Sequence, residues 1–484
     1  MQKLRLSRRA FMRSLAGATA SALVLGFDPR SRSWVTWAQP ASPAPFDQLP
    51  RLDGRLVLDE ATRAAFARDF GQIVSPEPVV VLEPGSVQDV VEVIRFANSH
   101  GLRVAMRGSD HSMLGQSQVE AGIVIDSRPL DSIRIAESAG GPVLEVGPGA
   151  QWGAVLDVAN ARKLTPPVNV DWMTLSVGGT LATGGIGGTT WRDGFQVDHV
   201  LELQVVTGDG QLVTCSDAQN ADLFNAVLAG MGQCGVIVRA VIPLVPAPTN
   251  VLFFTLTYTD LAAAAADYLS LIESERFAHL DGRSAVQQGG GFTYIIEAGA
   301  FYDAPEAPDE TALLDGLGFD SRNVADQTYE QYYRRLAGVN LSRGAHPWTI
   351  LYLPAAQFVA YASRVYATPD EFAASAPRFA VYRRAPIRRP LSRVPDDDLI
   401  FRFQLSRNPP EGSPDVDSLL AMNRVLFERA RDFGGTRMTW ATIPFRPDDW
   451  AAHYGEVWPM FRDAKQRFDP NHVLTPGPGI FPQP

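Results

Sequence analysis

Arg107-Gly108-Ser109-Asp110-His111-Ser112-Met113-Leu114-Gly115-Gln116 follows directly on Leu102–Met106, a run that reads as a strand. Small residues at a strand end let backbone N–H groups approach an anion, so the stretch reads as a nest for a phosphate. His111, in the polar turn, has three readings: a base, a ligand, or a point of covalent attachment. Taken alone, a surface or hydrogen-bonded histidine is the commoner reading.

Outward from this turn the chain alternates strands and helices. Pro78–Leu82 reads as a strand. Ser86 caps a helix whose apolar stripe is Val87, Val90, Val91, Ile94 and Ala97, and Gly101 ends it. Gly122–Asp126 and Val143–Val146 read as strands, and Trp152, Val155, Leu156 and Ala159 form a second helical stripe. Leu201–Val206 and Gln211–Thr214, joined by Gly208-Asp209-Gly210, read as a hairpin. Residues 219–229 read as a helix and Val236–Val245 as a strand. Pro246-Ala247-Pro248 marks a boundary. Beyond it, to about residue 430, come longer amphipathic pieces and strands such as Phe253–Thr257 and Leu399–Leu405. Aromatic and Pro/Gly content is dense again over the last ~50 residues.

Two more clusters carry chemistry. Ser176-Val177-Gly178-Gly179-Thr180-Leu181-Ala182-Thr183-Gly184-Gly185-Ile186-Gly187-Gly188 holds six glycines in 13 residues. Such a stretch wraps a diphosphate closely, although it has neither the Walker pattern nor a clean GxGxxG. Asp171-Trp172 lies just upstream. A carboxylate beside a large aromatic is partly desolvated, which raises its pKa and suits a proton acceptor; a helix or turn cap is the commoner use of such an Asp.

The 484 residues carry a net charge of −10, with 45% apolar and 20% charged residues. Residues 1–38 hold seven basic side chains (Lys3, Arg5, Arg8, Arg9, Arg13, Arg30, Arg32) against Asp28, so the remainder has 36 basic and 52 acidic residues, net −16. A body this acidic argues against a nucleic-acid partner. Ser7-Arg8-Arg9-Ala10-Phe11-Met12, followed by the mildly apolar Leu15–Phe27 and by Thr36-Trp37-Ala38, reads as a twin-arginine export signal over 1–38. No segment is long and apolar enough to span a membrane. Cys215 and Cys234 read as buried free thiols, although export leaves a disulfide open. No Cys/His cluster has metal-ligand spacing, so no metal is expected.

Taken in order, the turn at 107–116, Val143-Leu144-Glu145-Val146-Gly147-Pro148-Gly149 with Trp152, and Leu175-Ser176-Val177-Gly178-Gly179-Thr180-Leu181 resemble the FAD-binding domain of the vanillyl-alcohol-oxidase-type (PCMH-type) flavoproteins. Within that superfamily the chain resembles the cytokinin dehydrogenases. Glu202–Gly208, Asn220–Phe224, Gly232–Ile237, His346-Pro347-Trp348, His453-Tyr454-Gly455 and Asp469-Pro470 through Pro476-Gly477 extend the resemblance over roughly residues 70–484.

The resemblance implies an α+β fold: a two-subdomain FAD-binding domain over 70–248, completed by 431–484, and an α+β substrate domain over 249–430 with an antiparallel sheet flanked by helices. Residues 39–69 form a linker and N-terminal segment. It implies FAD bonded covalently to His111, and to no second residue, because the attachment cysteine of doubly linked relatives has no counterpart near Gly147–Trp152. It assigns FAD contacts to Arg107, Gly108, Ser109, Asp110, Ser112, Gln116, Ser176, Gly178, Gly179, Thr180, Ala182, Ile186, Ile237 and Thr475, catalysis to Asp171, and substrate contacts to Asp281 and Trp348. The reaction implied is oxidation of a C–H bond next to an amine, as in an N6-isoprenoid adenine, by hydride transfer to FAD, with oxygen or another acceptor taking the electrons. A sister oxidase of a sugar, alditol, alcohol or cyclic amine, or a flavin-binding protein without turnover, remains open. Three positions depart from the family pattern: Asp110 stands where Gly is usual, Pro478 where Gln is usual, and Asp281 where the plant enzymes carry Glu.

Overall fold

In the sheet of the first unit, the three parallel strands are apolar and buried over most of their length, the pattern expected of buried parallel strands. Val80, Val81 and Leu82 are fully buried, as are Ile123, Val124 and Ile125. The order is Arg55–Val57, Val80–Glu83, Ile123–Asp126, Val104–Arg107, with the first strand antiparallel and the rest parallel. Helix Val87–Ser99 starts where Ser86 Oγ accepts from Asp89 N, and Gly101 stops it at φ 66°. The structure, a computed structural model, describes residues 19–28, 33–41, 46–287, 290–335, 344–412 and 415–481. The twin-arginine motif lies outside them.

Val104–Arg107 would be an open edge, a liability in any sheet. The far end of the chain covers it: Val104 N donates to Val473 O at 2.8 Å, and Thr475 N donates to Val104 O at 2.8 Å. A buried ion pair anchors that segment. Lys465 Nζ lies 2.7 Å from Asp469 Oδ2, and Asp469 also accepts from Val473 N and Leu474 N. Removing one partner of a buried pair strands the other, at about 3–5 kcal/mol. Asp469→Ala is therefore expected to lose that much stability in chemical denaturation; a loss under 1 kcal/mol would show that the pair is dispensable.

The second sheet is antiparallel, in the order Leu212–Cys215, Glu202–Val206, Val236–Pro243, Gly141–Val146, Ile133–Ser138. Helix Trp152–Asn160 packs beneath it, and Trp152 Nε1 donates to Thr180 Oγ1 at 2.9 Å. That bond ties it to the glycine-rich stretch, which is not a loop throughout. Its first half is helix Val177–Thr183, because Val177, Thr180 and Leu181 share one buried face. Gly184 and Gly185, at φ 113° and 64°, then turn the chain where a side chain would be strained. Cys215 and Cys234 are both buried and unpaired, and burial pushes each thiol up to about 12.

The third layer is an eight-stranded antiparallel sheet: Ser321–Thr328, Asn250–Tyr258, Phe292–Tyr302, His279–Val286, Ser375–Arg383, Leu399–Arg407, Thr349–Pro354, Thr436–Arg437. Helices Leu261–Ser274, Phe358–Tyr366 and Val416–Asp432 flank it, with Phe358 stacked on Phe401 at 3.9 Å. Ser321–Thr328 escapes a reading by alternation, because nearly all its residues are polar and exposed. No helix among the described residues is long and apolar enough to cross a membrane.

Candidate active site

The glycine-rich helix, the 107–116 turn and the inner face of the large sheet enclose a cavity of about 690 Å³. Gly108, Ser109, Asp110, His111, Ser112, Gln116, Asp171, Ser176, Gly178, Gly179, Thr180, Ala182, Ile186, Ile237, Trp348 and Thr475 all line it. Residues far apart in sequence reach this wall by close packing. A Cβ at Gly108 would lie 2.0 Å from Ser176 Oγ, and one at Gly178 2.7 Å from Pro148 Cβ.

Two expected contact residues stand behind the wall instead. Arg107 is buried, with its guanidinium 4.7 Å from the Phe66 ring centroid and 2.6 Å from Asp110. Asp110 adopts a left-handed φ of 61°, strained for a non-glycine residue. Burial raises its carboxyl to about 6 against the pull of Arg107. Asp281 is on the cavity-side face of the sheet but buried beneath Arg378 and Arg402, which hold its two oxygens, the latter at 2.7 Å. Burial alone would raise Asp281; the two guanidiniums outweigh it and hold it at about 2.

His111 sits in an aromatic box. Its ring stacks on Phe70 at 4.1 Å and meets the edge of Trp172 at 4.2 Å. Phe70 in turn stacks on His346 at 4.2 Å, and His346 Nδ1–H donates to the Phe70 carbonyl at 2.8 Å. Trp348 closes the box, 5.8 Å from Trp172. Burial lowers His111 to about 4, so the imidazole is neutral at pH 7. Its Nε2 is buried without a partner, as is Ser109 Oγ. Phe70 escapes sequence reading because it lies in an irregular segment with no period.

Asp171 projects from the same box. Burial and the charge of Asp281 raise its carboxyl to about 6, while Arg378, Arg402 and Arg335 pull it down. The three arginines act on Asp171 through charge; Asp281, not Asp171, takes the hydrogen bonds of Arg378 and Arg402. Asp281 thereby keeps the guanidiniums off Asp171. Asp281→Asn removes one like charge and releases two opposite ones, so the Asp171 carboxyl should fall. The expected reading is an acidic limb in the pH profile of turnover displaced below about 6; an unmoved limb would deny Asp281 this part. No group of three or more His, Cys, Asp or Glu among the described residues could hold a metal.

A family model described as an FAD-binding domain matches residues 78–216. One described as "Cytokinin dehydrogenase 1, FAD and cytokinin binding" matches 279–481. Cytokinin dehydrogenase 1 of Oryza sativa subsp. japonica is 32% identical over 91% of this chain and 94% of its own length. The chain belongs to the cytokinin dehydrogenase family. An uncharacterised oxidoreductase of the fasciation locus of Rhodococcoides fascians is 33% identical over 87% of this chain and 97% of that protein. The fold matches 6-hydroxy-D-nicotine oxidase from Arthrobacter nicotinovorans, with TM-score 0.71, 21% identity, and 88% and 97% of the two chains covered. Chitooligosaccharide oxidase gives 0.70 at 16% identity, covering 90% of this chain and 98% of that one.

The site fits the family's FAD. The side chains that fit it are the orphaned His111 Nε2 and Ser109 Oγ, with Gly108 and Gly178 holding the wall close behind. Like its relatives, this member of the cytokinin dehydrogenase family is an FAD-linked oxidoreductase of α+β fold.

Proposed function

We propose that the protein oxidises the C–H bond beside the exocyclic nitrogen of an N6-isoprenoid adenine or a closely related amine. The observation that carries this is the Asp171 carboxyl, raised to about 6 and lining the same cavity as the aromatic box. The cytokinin-binding match over residues 279–481 supports the substrate class. Bound FAD supplies the acceptor for the two electrons and the hydrogen leaving the C–H bond. Asp171 takes the amine proton or holds the N–H in line, leaving a C=N bond that water later splits into adenine and an aldehyde. Trp172 and Trp348 exclude water and orient the planar substrate. His111 Nε2 is the proposed point of covalent attachment. We further propose export through the twin-arginine start, which suits a protein folded around its cofactor.

Anaerobic titration with N6-isopentenyladenine tests the reading, against a panel of sugars, alditols and cyclic amines. Bleaching of the yellow colour by the adenine is expected. Bleaching only by a member of the panel would overturn the substrate assignment, and no bleaching by anything would indicate binding without turnover.

A further inference from the structure

Three arginines form a row on the sheet wall of the cavity: Arg402, Arg378 and Arg283. They stand on three adjacent strands, where Arg378 pairs with Gln404, two residues from Arg402, on one side and with Arg283 on the other. Residues opposite one another in an antiparallel pair share a face, as do residues two apart on one strand. Their side chains are 5%, 32% and 40% exposed, so the row climbs from the cavity floor to its mouth.

Like charges directly opposite each other across strands destabilise a sheet, yet Arg283 and Arg378 are such a pair. Two carboxylates on the same face meet the three guanidiniums. Asp281 takes one nitrogen each from Arg378 and Arg402, and Glu297 Oε1 accepts from Arg283 Nε at 3.1 Å. A guanidinium has five N–H donors, so most remain unused. Arg402 Nε is buried with no partner at all. Elsewhere on the cavity wall, Asp110 belongs to Arg107, and Asp171 takes none of the hydrogen bonds that Arg378 and Arg402 give to Asp281. A neutral purine gives this row acceptors but no charge. A planar or tetrahedral oxyanion gives both, in the geometry that guanidinium forks match.

We propose that Arg283, Arg378 and Arg402 form a subsite for an oxyanion, a phosphate or a carboxylate, carried by the substrate away from the oxidised bond. This rests on the amine-oxidation reading above and narrows its substrate class.

The test uses the holoenzyme and four compounds: N6-isopentenyladenine, its riboside, the riboside 5′-monophosphate, and 9-carboxymethyl-N6-isopentenyladenine. Stopped-flow flavin reduction gives Kd and limiting rate separately. At least one anionic compound is expected to bind ~10-fold or more tightly than both neutral ones, the scale of one charge-assisted contact. Whichever anion leads identifies the source of the charge. The preference should shrink as salt rises, narrow to about twofold in Arg283→Gln, and survive in Arg283→Lys. Neutral compounds binding as tightly as both anions would overturn the subsite, as would a preference untouched in both Arg283→Gln and Arg378→Gln. If no adenine reduces the flavin, the function reading fails, and the subsite is read alone with inorganic phosphate. Saturable perturbation of the flavin spectrum, absent in Arg283→Gln, then supports it, and no perturbation overturns it.

Discussion

Asp171→Asn is expected to leave the protein folded and yellow while slowing flavin reduction at least ~100-fold, the usual scale of an acid–base contribution. Asn has the same size and can still accept through its carbonyl, so packing of the aromatic box is undisturbed. It cannot take a proton. The pH dependence sharpens the expectation. Burial and the neighbouring Asp281 raise the Asp171 carboxyl to about 6. The base is the ionised form, present above that value, so the wild-type rate should fall as pH drops through about 6. In Asp171→Asn this limb should vanish with the rate. Stopped-flow reduction across pH 5–8 checks both, and a variant that keeps wild-type speed removes Asp171 from the chemistry.

The second large effect is on cofactor retention. After acid precipitation, wild-type protein should keep its yellow colour in the pellet, whereas His111→Ala should release all of it to the supernatant. Nucleophilic attachment needs a neutral imidazole with a free nitrogen. His111 has both: burial lowers it to about 4, and Nε2 has no partner. The stack on Phe70 and the edge of Trp172 fix the ring. Colour that still pellets with His111→Ala would place the bond on another residue. Colour lost from the wild type would mean no covalent bond.

Much of this site was legible because its elements follow local rules. Ser86 and Gly101 bracket a helix by cap chemistry alone, and the runs at 78–82 and 122–126 name strands found at Val80–Glu83 and Ile123–Asp126. The histidine turn and the glycine-rich stretch were visible as clusters of small residues. What stayed hidden depends on partners distant in sequence. The helix inside the glycine-rich stretch forms because Val177, Thr180 and Leu181 find a core to enter. Asp281 looked like a wall residue until two arginines, about 100 and 120 positions away, were seen to hold both its oxygens. Those arginines sit in strands where alternation predicts burial but not company. Phe70 joins His111 and His346 into one stack that no spacing rule encodes.

The seam along Val104 bears on how the protein is made. The Val473–Thr475 segment both seals the edge of the first sheet and places Thr475 on the cavity wall. During synthesis the histidine turn and the glycine-rich helix emerge hundreds of residues before that seam does. Until residue 475 leaves the ribosome, the cofactor pocket has a missing side and the sheet a bare edge. A nascent chain stalled before this point is therefore expected to hold FAD poorly and to be prone to pair with its neighbours.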